Sequence, residues 1–102
     1  MKTHLFLVKL TYTKELTFID ELMKPHVDFL KKYYKLKKFV FSGRQVPRTG
    51  GIILCSADNR EEVVDILRED PFVNSGAADY EIITFQASMY SSKFKSVLED
   101  LK

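Results

Sequence analysis

Strands that are apolar on both sides constrain this chain more than any other feature of it. His4 to Tyr12 is rich in β-branched and aromatic residues and too short for an independent helix, so it reads as a first strand. Side chains alternate between the faces of a strand, which puts Phe6, Val8 and Leu10 on one side and Leu5 and Leu7 on the other. Gly50 to Ala57 repeats the arrangement, with Ile52 and Leu54 opposed to Ile53 and Cys55. Strands of this kind need both faces of their sheet covered. At ~25 cal/mol per Å², one such face left in water costs several kcal/mol, comparable with the whole stability of a small domain.

The remaining elements cover one face only. From about Glu15 to Leu36 the period is helical. Pro25 interrupts it and disfavours helical geometry at Lys24, which predicts a short turn and then a helix starting near Pro25. Lys38 to Gly43 is strand two, and Arg44-Gln-Val-Pro-Arg-Thr49 joins it to strand three at Gly50–Ala57. Asp58, with Glu61 three residues on, forms a capping box for helix two, which runs to about Asp70, where Pro71 stops it. Asp79 to Ala87 is strand four, and Ser91 or Ser92 caps a tail helix (about 90–102) bearing Phe94, Val97, Leu98 and Leu101. No linker or repeat divides the 102 residues, so 1–102 reads as one α+β domain in the order β-α-β-β-α-β. This is the split β-α-β arrangement, with strands in the spatial order 4-1-3-2. Right-handed crossovers put both helices on the same face. A partner sheet in a two-fold homodimer is the simplest cover for the other, and the tail helix folding back is the alternative.

Composition removes several functions. A formal charge of +2 with both signs scattered argues against a phosphate-backbone binder. RNA binding through this topology needs exposed aromatics, where strand three offers Ile52, Ile53, Leu54 and Cys55. One cysteine precludes an internal disulfide, and no Cys/His spacing for zinc appears. Nothing suggests a metal, nucleotide or flavin. MKTHLFLVKL has a lysine inside its apolar run and no small-residue cleavage site, so it is neither a signal peptide nor a membrane span, and a cytoplasmic protein is expected.

The chemistry gathers at one rim. On a helical wheel Leu22, His26, Phe29, Leu30 and Tyr33 form one stripe, so His26 falls in the sheet-facing band of helix one. Val63, Ile66, Leu67 and Asp70 form the stripe of helix two, which ends in an acid where burial and the helix dipole both oppose it. Antiparallel helices on one face bring the start of the first beside the end of the second, and the strand 2–3 connection emerges there too. His26, Asp70, Ser42, Arg44 and Arg48 are therefore expected together. The plainer readings are a packed histidine bonded to a carbonyl, a turn aspartate before Pro71, and solvated loop arginines. Turned inward, Arg44 and Arg48 would hold an anion by forked hydrogen bonds.

Lys24-Pro25-His26, Phe29-Leu30-Lys31-Lys32-Tyr33-Tyr34, Ser42-Gly43, Pro47-Arg48-Thr49-Gly50-Gly51, Asp70-Pro71-Phe72, Gly76 and Asp79-Tyr80-Glu81-Ile82-Ile83 together resemble the YciI-related (YCII) family. The resemblance runs from strand one through strand four and leaves the tail outside. It implies a ferredoxin-like dimeric α+β barrel and a His–Asp pair proposed as an active site, here His26 and Asp70. Two positions depart from the pattern: Met23, where many members have arginine, and Tyr34-Lys35-Leu36-Lys37, which lacks the glycine that commonly ends helix one. One branch of the family is similar to enzymes that eliminate chloride from chlorinated hydroxyaromatics. The expected function is a cofactor-free lyase or isomerase acting on a small anionic or phenolic molecule. In it His26 moves a proton, Asp70 fixes the imidazole, and Ser42, Arg44 and Arg48 bind the substrate. A dimeric ligand-binding or regulatory module using the same pocket is the alternative.

Overall fold

The computed structural model describes residues 4–101; the first three residues of the N-terminal run and Lys102, at the end of the expected tail, lie outside the described residues. The elements are β1 His4–Tyr12, α1 Leu16–Glu21, α2 Met23–Lys35, β2 Phe39–Arg44, β3 Gly50–Cys55, α3 Arg60–Leu67, α4 Pro71–Asn74, β4 Ala78–Gln86 and α5 Ser92–Asp100. The four strands form one antiparallel sheet in the order β2-β3-β1-β4. The two strands with two apolar faces, β1 and β3, are its interior pair. They meet in the register Leu7 opposite Leu54 and Lys9 opposite Ile52. Gly50 is required where β3 begins, because a Cβ there would collide with the Leu10 carbonyl.

Phe6, Val8, Leu10, Ile53 and Cys55 form the floor of the main core, under Ile19, Phe29, Val63, Leu67 and Phe72 from the helices. Burial pushes the Cys55 thiol up to about 12, as expected of a packed residue. The helix boundaries differ from the sequence expectation in instructive ways. The break falls at Leu22 between α1 and α2, and Pro25 lies inside the first turn of α2, where a missing N–H has no intrahelical partner to lose. Asn59 caps α3, accepting from the Glu62 N–H at 2.9 Å, while the Glu62 carboxylate accepts from the Asp58 N–H at 2.8 Å. The reciprocal capping logic holds one residue later than Asp58–Glu61 would put it. At the exit of α2, Lys37 takes the left-handed conformation (φ 62°), and the N–H groups of Lys37 and Lys38 donate to the carbonyls of Tyr34 and Tyr33. The helix thus ends in a Schellman motif without its usual glycine.

On the second face α5 folds back, burying Leu98 against Leu5 and Leu54 with Phe94 and Leu101 beside them. It covers one end of that face. Phe41, Ile83 and Phe85, on the same face by register, stay 52%, 45% and 39% exposed. Among the described residues no helix is long and apolar enough to cross a membrane.

Candidate active site

His26 enters the fold on the first hydrogen-bonded turn of α2, its N–H donating to the Leu22 carbonyl at 3.0 Å. Asp70 reaches it from the link between α3 and α4. The stripe through Val63, Ile66 and Leu67 is real, but α3 ends at Leu67, and tight i−3 bonds to Ile66 and Leu67 turn the chain before Asp70. Asp70 is therefore not an acid against a helix C-terminus. It is the N-cap of α4, with Pro71 in the first turn, and its Oδ1 accepts the Phe72 N–H at 2.9 Å. The position favours a negative charge that a continued α3 would have repelled.

The same Oδ1 lies 2.8 Å from Nδ1 of His26. Asp70 is 0% exposed, and the His26 side chain 12%. An ionised carboxylate can only accept, so opposite one Nδ1 is the donor, and Nε2 makes no hydrogen bond among the described residues. Asp70 Oδ2 has no hydrogen-bond partner among the described residues. The imidazole stacks on Phe72, with ring centroids 3.9 Å apart and planes 15° apart, and Phe29 approaches it at 6.2 Å. One residue before Asp70, Glu69 is clasped to α2 by Lys32 Nζ at 2.6 Å and the Tyr33 hydroxyl at 2.5 Å. Lys32 and then Tyr33 hold the Glu69 carboxyl below its usual range, while burial and then Glu69 push the Tyr33 phenol up to about 12. This clasp fixes α2 against the end of α3, and with them the two partners of the pair.

A cleft of about 210 Å³ opens over His26, lined also by Phe72, Tyr12, Met23, Leu30, Ser42 and Arg44. An apolar cavity of ~150 Å³ takes a benzene ring, so this space suits one substituted ring. Of the expected site residues the structure brings His26, Asp70, Ser42 and Arg44 together. Ser42 contributes its side of β2, and its hydroxyl shares a 2.6 Å hydrogen bond with Tyr34. Arg44 lines the cleft with no ion pair among the described residues. Arg48 turns away: its guanidinium meets Asp20 of α1 at 2.5 Å, with the Tyr12 hydroxyl beside it. The sequence reading missed Phe72 as the neighbour of His26, Tyr12 as a lining residue of the cleft, and Asp20 as the partner of Arg48. Asp-Pro-Phe was visible as a motif, but a stacked ring leaves no signal of spacing. Among the described residues no group of three or more His, Cys, Asp or Glu gathers as metal ligands would.

A family model described as the YCII-related domain matches residues 5–86, from β1 to the end of β4. Among solved structures the chain is similar to 5-chloro-2-hydroxyhydroquinone dehydrochlorinase (TftG) from Burkholderia phenoliruptrix AC1100, in complex with 2,5-dihydroxybenzoquinone. The two share 19% identity and a TM-score of 0.67, covering 87% of this chain and 96% of that one. At that identity the likeness speaks for the fold. Among curated proteins none matches.

Proposed function

The chain belongs to the YCII-related family, and from that premise and the geometry of the cleft we propose that it is a cofactor-free enzyme of the lyase or isomerase kind acting on a small acidic or phenolic ring. One observation carries the reading: a wholly buried carboxylate, 2.8 Å from the imidazole, under a cleft the size of one ring. Nε2 of His26 takes a proton from the substrate and returns it at the position where the product needs it, or keeps it while an anion leaves. Asp70 holds the Nδ1–H tautomer, and its buried negative charge stabilises the imidazolium that forms. Arg44 holds the substrate's carboxylate or phenolate oxygen, with the Ser42–Tyr34 hydroxyl pair as a further donor. Arg48, already neutralised by Asp20, supports the wall at Tyr12 instead. Chloride elimination, the activity named for the dehydrochlorinase above, belongs to the same class of proton-coupled elimination.

The working form is a homodimer. The apolar strip of Phe41, Ile83 and Phe85 that α5 leaves uncovered is the surface a second copy would bury. Sedimentation at micromolar concentration should give twice 11.9 kDa, and a species of 11.9 kDa alone would rule the dimer out. The enzyme reading is tested by turnover over a panel of hydroxyaromatic acids and hydroquinones, with thermal shift to find those that bind. His26→Gln should lower turnover ~10²–10⁴-fold with ligand affinity little changed. Weakened affinity with no turnover in the parent favours a ligand-binding module instead.

A further inference from the structure

We infer that Phe72 is a positioning residue for His26: its ring, stacked on the imidazole, fixes the tilt that the hydrogen bond to Asp70 alone leaves loose. The role stands on geometry, and its catalytic consequence rests on the proton-transfer reading above. A hydrogen bond tolerates about 30° of bend, and the outer torsion of histidine is broad, so the 2.8 Å contact of Nδ1 with Oδ1 leaves the imidazole room to tilt about its Cβ–Cγ bond. The Phe72 ring closes this freedom from one face at 3.9 Å and 15°, and Phe29 stands off at 6.2 Å.

Phe72 itself cannot yield. It is buried in the first turn of α4, its N–H donates to Asp70 Oδ1 at 2.9 Å, and its ring is met edge-on by Tyr12 at 5.7 Å. One residue therefore holds both members of the pair, the carboxylate through its backbone and the imidazole through its ring. The face of a phenyl ring is negative and attracts a cation more than a neutral ring. The stack thus tightens as His26 takes up a proton, and an interaction that strengthens along the reaction favours the step itself.

The test needs no substrate. The chain has two histidines, His4 and His26, so His26→Gln assigns the imidazole signals in a nitrogen-labelled sample. In the parent, at a pH where His26 is neutral, long-range proton–nitrogen spectra should show Nδ1 protonated, Nε2 bare, and ring protons displaced by the Phe72 ring current. Phe72→Leu keeps the backbone N–H and an apolar side chain but removes the stack. It should abolish the ring-current displacement and draw the two nitrogen shifts together as orientations mix, while Phe72→Tyr, which keeps the ring face, should retain the parent pattern. Phe72→Met takes the same test if the leucine variant does not fold. Parent-like spectra in the leucine or methionine variant overturn the inference and leave Phe72 as core alone. So does loss of the pattern in a folded tyrosine variant. If the spectra behave as expected and His26→Gln changes no turnover, Phe72 still positions the imidazole and it is the enzyme reading that fails.

Discussion

Replacing Asp70 in two ways separates what the carboxylate does for the fold from what it does for His26. Asp70→Ala removes the N-cap of α4 and leaves the Phe72 N–H without its acceptor at 2.9 Å. Loss of a cap costs ~0.5–2 kcal/mol, and a buried donor left unpaired ~1–3 kcal/mol. The two describe the same bond and overlap, so about 2–3 kcal/mol is the expected total. At ~4–8 °C per kcal/mol for a domain of this size, the melting temperature should fall by about 8–24 °C. Asp70→Asn keeps an acceptor at Oδ1, and asparagine caps as well as aspartate. Removing a charge from a site that is 0% exposed also offsets part of the lost charge-assisted bonding. Its stability should stay within ~1 kcal/mol of the parent. An amide offers a donor as well as an acceptor, however, so the Nδ1–H tautomer is no longer selected, and turnover should drop ~10²–10⁴-fold. Thermal melts followed by circular dichroism, beside turnover on the best substrate found, provide the comparison. If Asp70→Asn melts as early as Asp70→Ala and no substrate is turned over by the parent, the pair is structural and the catalytic reasoning is wrong.

Three further outcomes follow from individual contacts. Arg44→Ala should reduce the thermal shift produced by acids and phenolates, while Arg48→Ala leaves it nearly unchanged because Asp20 already occupies that guanidinium; equal losses would return Arg48 to the binding site. Lys37→Gly should stabilise by ~0.5–1 kcal/mol, as glycine relieves the left-handed strain at φ 62° and the exposed Lys37–Asp100 pair is worth little, and an earlier melt would contradict this. Tyr33, raised to about 12, lends stability that is complete below the unfolded phenol value near ~10 and lost as pH rises through about 12. Alkaline difference spectra should therefore show one of the five tyrosines ionising late, and Glu69→Gln should bring it earlier, since Glu69 is part of the cause.

The pattern of apolar residues determined the sheet. Two apolar faces on β1 and β3 called for cover on both sides of the sheet, and the order β2-β3-β1-β4 is that of the split β-α-β arrangement the element sequence suggested. His26 and Asp70 were legible as a pair because helix periods and antiparallel packing are local rules with long reach. What the sequence could not determine turned on distances between segments remote in the chain. Asp20 is 28 residues from Arg48, and their pairing removed from the site a cation that the loop sequence left free to turn either way. Leu98 meets Leu5 and Leu54 at one end of the second face, a contact that no local pattern in the tail specifies. The conformation of Asp70 itself was the subtlest case. A stripe continuing through it reads as helix, but Pro71 is equally at home after one helix and at the start of the next, and both readings are locally sound. Tertiary packing chose between them: Phe72 is buried in the core on one side and against the imidazole on the other, and only a chain that turns at Leu67 and caps α4 with Asp70 puts the ring there.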